Sequence, residues 1–122
     1  MIRVRYRTDD TSHSISVVGH AGYDGHGNDI VCAGVSAITY ALLGWLENHR
    51  DELEYLHTSV SSGDVQVDCA GGKDTRAVFE ATVIGLEQIA LKYPDHVLIE
   101  YLSQQGAGSR EKTAGKEHGH HA

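Results

Sequence analysis

The sequence predicts an α+β fold: a two-layer α/β sandwich in the order ββαββαβ, with a largely antiparallel sheet and two helices on one face. Three observations lead there. The first residues alternate apolar and polar, and the apolar spacing then lengthens to three and four in two long segments. The alternating runs also come in pairs joined by turn residues.

"MIRVRYR" sets Ile2, Val4 and Tyr6 against Arg3, Arg5 and Arg7, the period of a half-buried strand. "HSISVVG" repeats it with Ile15 and Val17, and the "TDDTS" between them is turn chemistry, so the two runs read as a hairpin. From Asp29 to about His49 the period changes. Val31, Val35, Ile38, Leu42 and Trp45 mark one face of an amphipathic helix, with Asn28 or Asp29 as its N-cap. "LEYLHTSVSS" and "DVQVDCA" flank Gly63 as a second hairpin. "GGKDTRAVFEATVIGLEQIALKY" is a second helix, with Phe79, Val83, Leu86 and Ala90 on one stripe and Pro94 just beyond its end. "HVLIEYL" is the last strand.

After Leu102 the apolar pattern stops. Residues 1–105 are expected to form one folded domain, and 106–122, polar, charged and rich in His, a disordered tail. A chain of 122 residues with 40% hydrophobic content suits a single core. The formal charge of −7 argues against a nucleic-acid-binding surface and suits a basic partner. No run approaches the roughly 18 consecutive apolar residues of a membrane span, and the N-terminus has no secretory h-region. Two cysteines far apart do not suggest a disulfide framework, and a reducing cytoplasm is the expected location.

Chemistry concentrates in "GHAGYDGHGNDIVCAGVSA", from Gly19 to Ala37. If Asp29 caps the helix, Cys32 falls in its first turn, where open N–H groups and the positive end of the dipole favour a thiolate. Cys32 can equally be a small core residue, since unpaired cysteines are among the most buried residue types. His20 ends a strand across the glycine-rich loop, placed to take the thiol proton and to protonate a leaving amine; its bland reading is a solvated surface histidine. Asp29 has two candidate jobs, capping the helix or orienting the histidine. Ser36, one turn after Cys32, either bonds back to the helix or lines the site. A metal site from His20, His26, Asp29 and Cys32 is a third reading. The spacing fits no common zinc pattern, and no cofactor or metal is expected.

The segment "GHA…GNDIVCAGVSA" resembles the defining motif of the ribosomal-processing cysteine proteases, the Prp family, and "GLEQIALKYPDHV" resembles the family's C-terminal helix and strand. The likeness runs from about Ile2 to Leu102. It implies a cytoplasmic, homodimeric cysteine endopeptidase without cofactor. Such enzymes remove the N-terminal extension of bacterial ribosomal large-subunit protein twenty-seven, cutting after an apolar, aromatic-containing segment. It places the catalytic cysteine on Cys32 and the catalytic histidine on His20, with the motif's Asp, Ser and Gly on Asp29, Ser36 and Gly19. The loop with Gly22, Gly25 and Gly27 would order over the substrate. No nucleic-acid or membrane partner is implied. The alternative is a binding module that docks a ribosomal protein without cutting it.

Overall fold

The computed structural model describes residues 1–20, 26–102 and 109–112, with side chains described outside 26–29 and 109–112. Strands β1 (Ile2–Thr8) and β2 (Ser12–Val18) form the expected antiparallel hairpin, in which Val4 faces Val17 and Tyr6 faces Ile15. Its inward residues Ile2, Val4, Tyr6, Ile15 and Val17 are buried. The outward Arg3 and Arg5 both pair with Glu100 of the last core strand, Arg5 Nε at 2.8 Å. At these exposures such pairs add at most about 1 kcal/mol, so the inward apolar row holds the strand.

The remaining elements follow the expected order: α1 (His26–Asn48), a short 3-10 turn (Arg50–Glu52), β3 (Tyr55–Ser61), β4 (Asp64–Ala70), α2 (Lys73–Lys92) and β5 (Val97–Leu102). The sheet order is β3-β4-β2-β1-β5-β6, where β6 is Ser109–Lys112. Every neighbouring pair is antiparallel except β1 and β5, which run parallel because α2 carries the chain across the sheet before it returns beside β1. The inward strand residues join Val31, Val35, Leu42 and Leu46 of α1 and Phe79, Val83, Leu86 and Ala90 of α2 in one core. The helices approach closely where a glycine of each meets an isoleucine of the other. A Cβ at Gly34 would lie 3.2 Å from Ile89, and one at Gly85 would lie 3.1 Å from Ile38.

Three expectations need correction. α1 begins at His26, not after an Asn28 or Asp29 cap. The apolar period starts only near Ile30, whereas a helix's first turn needs no apolar residue, and an acidic residue there interacts as favourably with the dipole as a cap does. Within the stretch expected to be a disordered tail, Ser109–Lys112 forms strand β6, antiparallel to β5 with Leu102 opposite Ser109. Backbone pairing along an open sheet edge does not require the apolar alternation that the sequence was read for. Lastly, Ile30–Asn48 is long and apolar enough by composition to cross a membrane. Its residues Val31, Val35, Leu42 and Leu46 are buried as a core-facing stripe, and 28% of the span is buried in all.

One polar side chain in the core has a measurable consequence. His13 of β2 is fully buried, hydrogen-bonded to Thr8 Oγ1 and stacked on Phe79 at 5.1 Å between ring centroids. Its Nε2 is buried without a hydrogen-bond partner. Burial, reinforced by Arg76 and opposed by Asp9 and Glu80, holds its pKa below the usual histidine value. The folded protein therefore keeps His13 neutral, while the unfolded chain takes up a proton once the pH falls below about 6.5. Stability should decline as pH drops through that window and level off below the depressed folded value. Urea midpoints at about pH 7.5 and about pH 5.5 should differ less in His13→Leu than in wild type. Equal differences would mean that His13 is not the group responsible.

Candidate active site

β2 stops at Val18, and the next two residues are held by contacts from two directions. Gly19 has φ +109°, and a Cβ there would run into the carbonyl oxygen of Met1, so only glycine fits without a shift. Its N–H donates to Gly63 O at 2.8 Å. The carbonyl of His20 accepts a bond from the Met1 amino group at 2.7 Å. The start of β1 and the tip of the β3–β4 hairpin thus fix the backbone on either side of the His20 side chain.

The hairpin tip is a two-residue turn, Ser62–Gly63, closed by the pairing of Ser61 with Asp64. Gly63 has φ +71°, the left-handed conformation that such tight turns demand. The exposed His20 imidazole lies over it: a Cβ at Gly63 would sit 2.5 Å from His20 Nε2 and 2.8 Å from Cε1.

Cys32 approaches from the helix layer. Val31 and Val35, both buried, set the rotation of α1. Cys32 is half-buried and packs against the core, with Ser36, Thr39 and Tyr40 following it along one face. That face, the β2 end and the hairpin tip enclose an open cleft of about 490 Å³. Cys32, His20, Gly19 and Ser36, four of the residues singled out by sequence, all line it. Gly22 and Gly25 lie outside the described residues. Gly27 falls in the first turn of α1; Asp29 is its fourth residue, and the Asp29 side chain lies outside the described ones.

The helix start is not beside the thiol. Cys32 is the seventh residue of α1, about 9 Å along the axis from His26. The dipole effect fades within the first turn, so the thiol does not sit among open N–H groups, as capping at Asp29 would have implied. His20 is the imidazole lining the same cleft as Cys32. Cys69, by contrast, is fully buried on β4, and desolvation, with Asp68 next in effect, pushes its thiol up to about 11.

The far wall carries no signature in the sequence pattern. Val60, half exposed on β3, and Tyr40, more than half exposed on α1, line the cleft, and Ile2, Val17 and Val65 add further apolar surface. Asp64 is the one carboxylate among its described lining residues. The available signal was the Ser62–Gly63 turn, but its meeting with His20 follows from β2 pairing with β4, where Val18 faces Asp64. Among the described residues, no group of three or more His, Cys, Asp or Glu side chains could hold a metal ion.

Residues 1–98 match the family model described as cysteine protease Prp. The ribosomal processing cysteine protease Prp of Staphylococcus aureus is 27% identical over 111 residues, covering 83% of this chain and 99% of its own. That of Mycoplasma genitalium is 28% identical over 81 residues, covering 66% of this chain and 80% of its own. Among solved structures, the S. aureus protease Prp with a covalently linked product peptide superposes with a TM-score of 0.67 at 20% identity, over 83% of this chain and 99% of that one. SMU.848 from Streptococcus mutans gives a TM-score of 0.66 at 26% identity, over 85% and 96%. The chain therefore belongs to the cysteine protease Prp family and is a cysteine-type peptidase.

Proposed function

We propose that this protein is an endopeptidase of ribosome maturation that removes the N-terminal extension of bacterial ribosomal large-subunit protein twenty-seven, with Cys32 as nucleophile and His20 as general base and acid. The observation that carries the reading is that Cys32, on the helix layer, and His20, just past the end of β2, line one cleft that is open to solvent. The Cys32 thiolate attacks the scissile carbonyl carbon. His20 takes the thiol proton and returns it to the leaving amine, which departs as the C–N bond breaks. Water then hydrolyses the thioester and restores the thiol. Ser36, on the cleft wall, and Asp29, one turn before Cys32, are proposed as supporting residues, and Gly19, Gly22, Gly25 and Gly27 as glycines that help to receive the peptide.

The substrate reading has its own support. The apolar walls formed by Val17, Val60, Val65 and Tyr40 suit an extended peptide with apolar and aromatic side chains. The formal charge of −7 favours encounter with the basic mature end of a ribosomal protein, through association rate more than final affinity. The S. aureus relative has been solved with a substrate peptide and carries the name of a ribosomal processing protease. We further propose a cytoplasmic homodimer. Exposed Ile30 and Tyr40 on α1, with Ile84 and Leu91 on α2, offer apolar surface for a second copy.

Two outcomes follow. In the folded protein at neutral pH, iodoacetamide should label Cys32 well before Cys69, whose burial both shields the thiol and disfavours its ionisation. Timed labelling with peptide mass analysis reads this, and faster labelling of Cys69 would remove Cys32 as the nucleophile. A synthetic peptide spanning the extension and the first mature residues should be cut once by wild type and not at all by Cys32→Ala. His20→Ala should cut it about a hundredfold or more slowly. Unchanged cutting by Cys32→Ala would remove Cys32 as the nucleophile, and a wild-type protein that binds the peptide without cutting it would leave a binding module as the better description.

A further inference from the structure

We propose that Gly63 is a positioning residue for catalysis: the bare backbone at the tip of the β3–β4 hairpin is the seat on which the His20 imidazole rests. The proposal builds on the reading of His20 and Cys32 as the reacting pair. Three independent features meet at Gly63. Its φ of +71° turns the hairpin tip toward the end of β2. Its carbonyl accepts the Gly19 N–H at 2.8 Å, tying the tip to the residue just before the histidine. The space a Cβ would take is already filled by the imidazole, at 2.5 Å from Nε2, 2.8 Å from Cε1 and 3.3 Å from Cδ2.

Those three ring atoms span both the edge and the tip of the imidazole, so any side chain at Gly63 must displace the ring as a whole. His20 is exposed and has room to swing into solvent. The cost of a side chain then falls on ring placement rather than on the fold. A reacting group displaced by about 1 Å can lose on the order of a hundredfold in rate. The competing explanation is that glycine stands here only because a two-residue turn demands positive φ. Asparagine separates the two, since it tolerates that backbone conformation yet carries a Cβ.

The test uses iodoacetamide alkylation of Cys32 at neutral pH, which needs no peptide substrate, in wild type, Gly63→Ala, Gly63→Asn, His20→Ala and each Gly63 variant combined with His20→Ala. Thermal melts monitored by circular dichroism verify folding, and the asparagine variant covers the case in which alanine strains the turn too far. Both Gly63 variants should slow Cys32 alkylation about tenfold or more, approaching the rate of His20→Ala. In the His20→Ala background they should slow it no further, because a residue that acts through the imidazole has nothing left to act on. Wild-type alkylation in folded Gly63→Asn, with His20→Ala slow, would overturn the positioning role and leave the pair intact. Slowing that persists without His20 would also overturn it, since Gly63 would then act by another route. If His20→Ala itself alkylates at the wild-type rate, the reacting pair fails, and the proposal with it.

Discussion

The site depends on one non-local pairing, β2 against β4. It sets Val18 opposite Asp64 and carries the next step of the ladder, Gly19 N–H to Gly63 O, past the formal end of the strand. That bond places the residue after β2 over the tip of a hairpin that begins more than thirty residues later in the chain. Without it His20 would be a solvated histidine at a strand end. With it the imidazole has a floor, and the bond between the Met1 amino group and the His20 carbonyl anchors it from the opposite side. Backbone hydrogen bonds each contribute only about 1 kcal/mol net, but here they act at two points on a two-residue segment, which makes them decisive for direction rather than for stability.

The second half of the site is delivered by packing. α1 has no fixed position until Val31, Val35, Leu42 and Leu46 enter the core, and the close crossing at Gly34 and Gly85 sets how far it sits from α2. Cys32 then faces the cleft from the second turn of the helix, not the first. The distinction changes the chemistry. Near a helix start the backbone itself helps to ionise a thiol, while six residues further along that help is spent. On the proposed reading, His20 is the cleft side chain that activates Cys32, which gives weight to whatever keeps its ring in place.

Much of the fold was legible because periodicity reports burial directly. The rows Ile2–Val4–Tyr6 and Phe79–Val83–Leu86–Ala90 are inward in the structure, as their spacing implies. Cys32, His20 and Ser36 were legible as chemistry-bearing types in a glycine-rich context, and a resemblance sharpened their roles. The start of α1 was not legible, since a first helical turn carries no apolar signature, nor was β6, whose pairing is a backbone matter. The hairpin tip was hidden for a different reason. Ser62–Gly63 reads correctly as a turn, but which residue it touches is fixed by strand order, and no local pattern in β2 or β4 encodes that they are neighbours. Val60 and Tyr40 share this property, as apolar residues left exposed on the edge strand β3 and on α1.

The central claim is that the cleft brings the thiol of Cys32 and the imidazole of His20 within reach of one reacting atom. The bifunctional reagent dibromoacetone measures this most directly. Its first electrophilic carbon alkylates a thiol, and its second, across a single carbonyl, then captures a nucleophile only a few ångströms away. Peptide mapping of the treated, folded protein should yield one bridged species joining the Cys32 and His20 peptides. A product attached at Cys32 alone, or a bridge from Cys32 to a different histidine, would contradict the account.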